Sequence, residues 1–282
     1  MFSNTTIAFI GSGSMAEAMI SGLIAQKLID PQSIIAAGPR PEHGEALRQK
    51  HGIRVTTNNR EAIEGADVVV LSVKPQILAT VMPELKGHIQ LGSLVLSIIA
   101  GAKIDTIAQG LLHTGIVRAM PNTPAQIGEG ISVWTASHDV TEEQRKQAEA
   151  ILGACGQQIF VADEDYLDMA TALSGTGPAY VFLFMEAMVD AGVHLGFSRH
   201  VSEQLVLQTV KGSVEYVLHS PNHLARLRNQ VTSPGGTSAE ALYYLEKAGF
   251  RTALSRAVWA AYQRSLQLGR GKKRSQLADG EK

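Results

Sequence analysis

The chain has 282 residues, of which 45% are hydrophobic and 18% charged, a composition typical of globular proteins and unlike disordered or collagen-like chains. At ~150 residues per domain, this length predicts two domains. The 25 Lys and Arg residues are offset by 26 Asp and Glu residues. The resulting net charge of -1 provides no basic excess for nucleic acid or an anionic membrane surface, and we expect neither partner.

The cysteine content and the N-terminal residues both favour a cytoplasmic location. Cys155 is the only cysteine, so no intrachain disulfide can form, and no cysteine and histidine cluster has metal-ligand spacing. Residues 1–6 form no basic segment, and Ile7–Ile10 is too short for the apolar core of a signal peptide. We therefore expect a reducing compartment and no metal site.

In chain order, short apolar runs alternate with helical patterns up to about Val161, which predicts a mainly parallel sheet with crossover helices. A helix near residues 141–152 separates the last two predicted strands. Val68–Leu71 and, apart from Ser97, Leu94–Ile98 are apolar runs, so we expect them in mid-sheet, covered on both faces. The other predicted strands are Ile7–Ile10, Ile34–Ala36, Val55–Thr56, Gly115–Arg118, Ile131–Trp134 and Gln158–Val161.

After Asp163 the pattern is helical, which predicts one domain over residues 1–162 and an all-helical domain over residues 163–282. The helix predicted over Pro178–Leu195 is apolar almost all the way round, and a domain of ~100 residues has difficulty burying such a helix alone. We therefore expect it to be buried between subunits. Charged residues within it argue against a membrane span. The basic cluster at residues 270–274 is expected to be a solvated tail.

A glycine-rich motif, Gly11-Ser12-Gly13-Ser14-Met15-Ala16, follows the first predicted strand and opens a predicted helix. This context is typical of a dinucleotide-binding turn, in which Gly11 suits the tight turn and Gly13 lets a pyrophosphate approach the backbone. Free N–H groups and the positive end of the helix dipole would hold the diphosphate.

The segment Ser33–Arg40 contains no carboxylate, although NAD-binding proteins place one in this region to bind the ribose. Arg40 stands instead just beyond the predicted strand, where a 2′-phosphate would lie. The sequence therefore favours NADP(H) over NAD(H). The alternative is that Arg40 is an exposed turn residue.

Three further motifs close predicted strands at the same sheet edge, where open α/β sheets bind ligands. Lys74, in Leu71-Ser72-Val73-Lys74-Pro75, could face the ribose or nicotinamide, or be an ordinary lysine at a strand end. The small pair Ala100-Gly101 would let a flat ring come close. Two prolines in Arg118–Pro124 predict a stiff loop.

Two turns in the helical half are rich in hydroxyl groups and glycine. Leu173–Tyr180 provides Ser174 and Thr176 at a helix start, either as ligand-binding groups or as a helix cap. Val231–Ser238 enters another helix, and its two glycines let successive N–H groups converge on an anion such as a carboxylate. For this second turn we favour ligand binding over capping alone.

Together and in this order, the motifs closely resemble those of the pyrroline-5-carboxylate reductase family, over essentially the whole chain. The matching stretches are Ile10–Met15, Ser72–Pro75, Arg118–Pro124, Ser174–Tyr180 and Ser233–Ser238. The resemblance implies an α/β fold: an N-terminal Rossmann-like domain with a doubly wound, mainly parallel sheet, followed by an all-helical dimerisation domain. It implies a homodimer, alone or in a higher assembly. It also implies that NAD(P)H reduces the cyclic imine pyrroline-5-carboxylate to L-proline in the last step of proline biosynthesis. The position of Arg40 favours NADPH as the donor, with NADH as the alternative.

The resemblance also implies functional residues at the matching positions. It implies cofactor contacts at Ile10, Gly11, Ser12, Gly13, Ser14, Met15, Asn59, Ser72, Val73, Lys74, Pro75, Ala100 and Gly101. Arg40 is a further candidate cofactor contact because of its position after the predicted strand. The substrate carboxylate is expected at Ser233, Gly235, Gly236, Thr237 and Ser238. The candidate catalytic hydroxyls are those of Ser174, Thr176, Thr237 and Ser238. The sequence departs from the family at three positions. The family usually has threonine where this chain has Ser238, often has serine where it has Thr176, and usually has asparagine where it has Gln230. These departures affect only fine substrate contacts.

In this interpretation the hydride goes to C5 of the ring C=N bond, and the nitrogen takes or already carries the proton, so positioning supplies most of the rate. A β-hydroxy-acid dehydrogenase is a rival with the same type of cofactor. It would use a lysine on the first long helix of its second domain, and this chain has no lysine between Lys146 and Lys211. Another imine reductase and a non-catalytic NADP-binding protein are the remaining alternatives.

Overall fold

The computed structural model describes residue 2 and residues 5–269. By their internal contacts the described residues divide into two units: one runs to Thr176 and resumes at Ala261, and the other is Gly177–Ala260. The end of the last helix thus belongs to the first unit. The sequence predicts instead a single domain boundary after residue 162. The predicted tail at residues 270–274 lies outside the described residues.

The first unit is built on an eight-stranded sheet with the strand order β3-β2-β1-β4-β5-β6-β7-β8. The strands are β1 Ile7–Ile10, β2 Ile34–Ala37, β3 Arg54–Thr56, β4 Val68–Leu71, β5 Leu94–Ser97, β6 Ile116–Met120, β7 Gly130–Ala136 and β8 Gly156–Phe160. All neighbours are parallel except β6 and β7, which a short 3-10 turn joins as an antiparallel pair. The predicted strands are confirmed, β1 and β4 with the predicted ends and the others with ends shifted by one or two residues, and so is the mainly parallel α/β fold.

Helices cross over between the strands, and helices alone follow the last strand within the described residues, as predicted. The crossover helices are α1 Ser14–Ala25, α2 Pro41–His51, α3 Asn59–Ile63, α4 Pro75–Leu85, α5 Ile104–Leu111 and α6 Glu142–Gly153. The later helices are α7 Tyr166–Ala170, α8 Gly177–His194, α9 Arg199–Leu218, α10 Leu224–Gln230, α11 Thr237–Lys247 and α12 Phe250–Gly269.

The sheet is covered on both faces, as its apolar strands predict. Successive side chains of a strand point to opposite faces. Val68 and Val70 accordingly pack in one buried cluster with α1, whereas Val69 and Leu71 pack in a second buried cluster with α4 and α5. Every residue of β4 is fully buried. This two-sided burial makes the first unit a doubly wound domain.

Helix α8 is largely exposed within the single chain. Within the single chain, Val189 is its only buried residue, while Phe182 is 60% exposed and Leu183 67% exposed. The continuous helical stretch Tyr166–His194, which includes α8, has a mean hydropathy of 1.2. By length and composition alone it could cross a membrane. One such helix carries little weight, because helices of protein cores and subunit interfaces have the same composition. This exposure agrees with the expectation that one small domain cannot bury the helix alone, and its burial between subunits stays a prediction.

Candidate functional site

Parallel pairing aligns the carboxyl ends of the central strands at one edge of the sheet. Ile10, the last residue of β1, pairs with Ala37 on one side and with Leu71 on the other, and Leu71 pairs with Ser97. The chain leaves β1 toward β2 and returns on the other side through β4, so this is the topological switch point where such sheets bind ligands. The segments that follow these ends are Gly11–Gly13, Gly38–Arg40, Ser72–Lys74 and Ile98–Gly101.

The turn after β1 is joined tightly to the segment after β4. Gly11 has a φ of +103°, and a Cβ there would lie 2.8 Å from the backbone of both Ser72 and Val73. The hydroxyl of Ser72 donates to the carbonyl of Gly11 at 2.7 Å, and the Ser72 N–H donates to the carbonyl of Ile10 at 2.9 Å. Glycine is therefore required at position 11 by both conformation and space.

Gly13 has a different environment from Gly11. It is the N-cap of α1 in an extended conformation, and no side chain caps the helix there. A Cβ at Gly13 would meet nothing within 4 Å, so packing within the chain does not require a glycine. The first N–H groups of α1 lack intrahelical acceptors. Open space beside uncapped N–H groups suits an anionic ligand that approaches the backbone closely.

The segment after β2 carries the residues that bear on cofactor preference. Arg40 is exposed, and its guanidinium has no partner among the described residues. A Cβ at Gly38 would lie 2.2 Å from Oγ of Ser12, so a carboxylate at that position would displace the Ser12 hydroxyl. Of the residues that the structure describes, the segment that ends β2 thus carries an unpaired cation and no carboxylate.

Lys74 and Asn59 lie on neighbouring helices at this edge. Lys74 is the N-cap of α4, which begins at Pro75, and its exposed ammonium has no partner among the residues that the structure describes. Asn59 begins α3, and its Nδ2 donates to Oε2 of Glu84 at 2.8 Å. The Asn59 amide is therefore oriented by the protein, with its oxygen available as an acceptor.

Gly101 has a packing role that the sequence does not reveal. It is buried with a φ of +75°, and a Cβ there would lie 2.9 Å from the backbone nitrogen of Gly269 and 3.1 Å from Cβ of Leu268. The last turn of α12 therefore covers this position. Packing alone accounts for the glycine, whether or not a flat ring also approaches Ala100, which is half-buried.

The predicted hydroxyl-rich turn adopts a π-helical conformation over Thr171–Gly175. The Ser174 hydroxyl donates to the carbonyl of Ala170 at 3.0 Å, and the Thr176 hydroxyl donates to the carbonyl of Thr171 at 2.8 Å. Both hydroxyl protons are thus used within the helix, while both oxygens can still accept. Single π turns are frequent at functional sites.

Asn122 holds this π turn against the sheet, a role that sequence reasoning missed. Its Nδ2 donates to the carbonyl of Ser174 at 3.2 Å, and its Oδ1 accepts from the N–H of Ile131 at 2.9 Å. A Cβ at Gly175 would lie 2.8 Å from Cε of Met120, so the contact is close. The stiff loop after β6 therefore positions Ser174.

Sequence reasoning also missed a buried ionic network centred on Arg118. Arg118, which is 2% exposed, lies 2.8 Å from Oε1 of Glu164 and 3.6 Å from Oδ1 of Asp168. Glu164 also accepts from the N–H of Ile104, and the Ser265 hydroxyl donates to Asp168. An arginine inside an otherwise apolar strand, followed later by an acidic run, is the signal that could have predicted it, because buried charges must be paired.

Two titratable groups flank this network. Nζ of Lys103 lies 2.9 Å from Oδ1 of Asp165. This ammonium holds the pKa of Asp165 below its usual value, and the carboxylate raises the pKa of Lys103. The pair is exposed, so it contributes little to stability.

Cys155 is not part of the candidate site. Burial raises the pKa of its thiol from 9.0 to about 11, so it stays protonated near neutral pH. Among the described residues, no group of three or more histidine, cysteine, aspartate or glutamate side chains could hold a metal ion.

The Ser233–Ser238 loop lies in the second unit. Gly235 has a φ of +71°, and Gly236 is the N-cap of α11 without a capping side chain. The N–H of Gly236 donates to the carbonyl of Ser233 at 3.0 Å. The half-buried hydroxyl of Ser238 has no partner within the described part of the chain. The loop therefore offers free N–H groups and the Ser238 hydroxyl to an anion.

Comparison with known proteins supports the resemblance. Residues 164–268 match the family model for pyrroline-5-carboxylate reductase dimerisation, and residues 6–101 match that for NADP oxidoreductase, coenzyme F420-dependent. Pyrroline-5-carboxylate reductase of Synechocystis is 41% identical, over 94% of this chain and 98% of its own length. That of Pseudomonas aeruginosa is also 41% identical, over 94% and 97%.

A solved structure agrees over the same extent. The crystal structure of Plasmodium falciparum pyrroline carboxylate reductase with NADP bound is similar with a TM-score of 0.86 and 35% identity, covering 94% of this chain and 98% of that one. The expected family is therefore confirmed by relatives that match almost their whole length. The chain belongs to the pyrroline-5-carboxylate reductase family of NAD(P)-dependent oxidoreductases.

Proposed function

We propose that this protein reduces pyrroline-5-carboxylate to L-proline, the last step of proline biosynthesis. The observation that carries the proposal is the environment of Gly13, where open space adjoins an uncapped helix N-terminus at the switch point of the sheet. This arrangement fits the diphosphate of a dinucleotide. The names of the relatives, at 41% identity, support the imine as the substrate.

The preferred cofactor in this proposal is NADPH, with NADH as the alternative donor. Ile10–Met15 would hold the diphosphate, with further contacts from Asn59 and the segments Ser72–Pro75 and Ala100–Gly101. Arg40 is an unpartnered cation at the end of β2 and would pair with the 2′-phosphate, for which a planar guanidinium is well suited. When bound, the cofactor supplies the hydride that reduces the ring C=N bond.

The chain's own residues act mainly by positioning the substrate. The N–H groups at the start of α11 would hold the substrate carboxylate, and the Ser238 hydroxyl would add one donor. Thr237, Ser174 and Thr176 are the further candidate hydroxyls. No side chain is assigned as an indispensable general acid, because the substrate nitrogen can arrive protonated. Rate then depends on placing the reacting atoms in a water-poor pocket.

The assembly that we propose is a homodimer formed through the helical domain, alone or as the unit of a higher assembly. The exposed apolar side chains of α8 support it, as does the match of residues 164–268 to a dimerisation model. The limits 1–162 for the cofactor domain and 163–282 for the helical domain remain a proposal. So does a cytoplasmic location, which the single buried and protonated thiol supports.

The direct test follows the absorbance of NADPH when pyrroline-5-carboxylate is added to the purified protein. We expect turnover with proline as the product. Oxidation of a β-hydroxy acid with NADP+ as the oxidant, without reduction of pyrroline-5-carboxylate, would favour the dehydrogenase alternative. Reduction of other imines only would favour a different imine reductase, and NADPH binding without turnover would favour a non-catalytic role.

Arg40→Asp tests the cofactor preference within the same assay. The change replaces a charge-assisted contact with a repulsion, so the KM for NADPH should rise far more than the KM for NADH. Arg54→Asp, an exposed arginine one strand away, is the matched control and should change neither value. Equal effects of Arg40→Asp on both cofactors would exclude Arg40 as the reader of the 2′-phosphate.

A further inference from the structure

His43 makes a contact with the glycine-rich turn that no sequence motif predicts. It lies in the first turn of α2, half-buried, with Nε2 2.6 Å from the carbonyl oxygen of Ser12. A carbonyl oxygen can only accept, so Nε2 carries the proton and donates it. A short hydrogen bond therefore links α2 to the turn between β1 and α1.

The Ser12 carbonyl depends on this histidine. Ser12 is 9% exposed, and among the described residues no backbone N–H donates to its carbonyl. The peptide bond between Ser12 and Gly13 is planar and trans, so the Ser12 oxygen and the Gly13 N–H point in opposite directions. A donor that fixes the oxygen also fixes the direction of the Gly13 N–H.

We infer that His43 is a positioning residue for the dinucleotide: its Nε2–H holds the Ser12 carbonyl and thereby directs the Gly13 N–H toward the diphosphate. The inference rests on the proposed function, which assigns the diphosphate to this turn. His43 acts through the peptide of Ser12 and Gly13, and this distinguishes it from Arg40, which acts on the 2′-phosphate.

The fold holds His43 in place for this role. Pro41 begins α2 with a fixed φ, and a Cβ at Gly44 would lie 3.5 Å from Cβ of Val55, so the first turn of the helix lies against β3. The N–H of Gly44 donates to the carbonyl of Arg40 at 3.2 Å. The histidine thus projects from an ordered helical turn, and its bond to Ser12 does not require a loop to be ordered first.

The experiment measures dissociation constants of the full-length protein for NADPH, NADH and 2′-AMP by fluorescence titration, together with the melting temperature. His43→Leu removes the donor and keeps the bulk, whereas His43→Gln keeps an N–H donor at a comparable reach. His51→Leu, at the other end of the same helix, is the matched control. Arg40→Gln is the reference for loss of a 2′-phosphate contact.

We expect His43→Leu to weaken NADPH and NADH binding equally, by roughly three- to tenfold for one lost hydrogen bond. Binding of 2′-AMP, which has a 2′-phosphate but no diphosphate, should be unchanged, and His43→Gln should recover most of the loss. Arg40→Gln should weaken NADPH and 2′-AMP but not NADH. His51→Leu should leave all three constants unchanged.

Several results would overturn the inference. A loss confined to NADPH and 2′-AMP would make His43 a phosphate reader, unchanged constants would give it no role, and an equal loss in His51→Leu would indicate a general effect on α2. A parent protein that binds neither dinucleotide would refute the proposed function as well. A parent that binds both dinucleotides but does not reduce the imine would refute only the proposed reaction.

Discussion

Strand β4 and helix α8 show how differently the two units of this protein are stabilised. All four residues of β4 are fully buried by the same chain, whereas only one of the 18 residues of α8 is buried. Several large apolar side chains are exposed along α8. Soluble monomers rarely expose an apolar surface of this kind. The first unit therefore contains its own core, whereas in our proposal the second completes its core against another copy of the chain.

The largest expected effect is the loss of association when α8 is made polar. Leu183→Asp places a charge on a side chain that is 67% exposed in the single chain and would be buried twice in a symmetric dimer. At about 1.5–3 kcal/mol per buried leucine, the dimer should lose about 3–6 kcal/mol, or at least a hundredfold in dissociation constant. Sedimentation velocity over a concentration series measures it.

The control for this experiment is Leu91→Asp. Leu91 is 95% exposed in the first unit, so it is apolar and accessible without lying on α8. Its substitution should leave the sedimentation coefficient unchanged. If the parent protein sediments as a stable monomer at micromolar concentration, α8 is not buried between subunits and the proposed dimer is wrong.

A second prediction separates fold from ligand within the first unit. Gly11→Ala introduces strain at positive φ and a Cβ 2.8 Å from neighbouring backbone, so the free energy of unfolding should fall by about 2–6 kcal/mol. Gly13→Ala meets no atom of the chain, so stability should change by less than about 1 kcal/mol. NADPH binding should nevertheless weaken by roughly five- to hundredfold, because the new methyl group lies where the diphosphate would be.

Urea unfolding and NADPH titration of both variants check this prediction. Gly65→Ala is the control for positive φ away from the site, since a Cβ there also meets nothing within 4 Å. If Gly13→Ala binds NADPH as the parent does, the cofactor does not approach this turn.

The third prediction compares hydroxyl groups from the two units. Ser238→Ala removes a free hydroxyl and should lower kcat/KM by roughly ten- to two-hundredfold, about 1.5–3 kcal/mol for a bond to a charged group. Ser174→Ala and Thr176→Ala should cost less, because those hydroxyls already donate to Ala170 and Thr171. None of the three should abolish activity.

The pH profile of kcat at saturating substrate decides whether any of these hydroxyls is a proton donor. A general acid can itself be worth only ~10²–10⁴-fold, so the size of one loss is not decisive. If one variant loses thousands-fold in kcat and also lacks a titration limb present in the parent, that residue donates the proton, and the account of the reaction given above is wrong.

The sequence predicts the strands and the strand-end motifs because both depend on local patterns. Apolar runs specify β4, and parallel pairing then brings Gly11, Arg40 and Lys74 to one edge. Contacts between distant residues could not be predicted in this way. Asn122 meets Ser174 across 52 residues, and His43 meets Ser12 across 31, so each contact depends on how elements pack rather than on any local pattern.

The smallest expected effect concerns one ion pair in each unit. In the first unit, Nζ of Lys50 lies 2.7 Å from Oε1 of Glu17 and joins α2 to α1. In the second, Nη2 of Arg199 lies 2.9 Å from Oδ1 of Asp190 and joins α9 to α8. Both pairs are partly or largely exposed, so each should contribute less than about 1 kcal/mol.

Glu17→Gln should therefore lower the free energy of unfolding by less than about 1 kcal/mol at pH 7. The hydrogen bond from Lys50 lowers the pKa of Glu17 below 4.5, against a burial effect that raises it, so the contribution is present above pH 4.5 and is lost as pH falls through the lowered pKa. The free energies of unfolding of the parent and of Glu17→Gln should therefore become equal at acidic pH. Asp190→Asn should change stability within error, since in our proposal the second unit is held together by apolar burial against a partner. Urea unfolding of both variants between pH 3 and 7 measures this, and a larger loss for Asp190→Asn than for Glu17→Gln would mean that the helical unit depends on its own polar contacts after all.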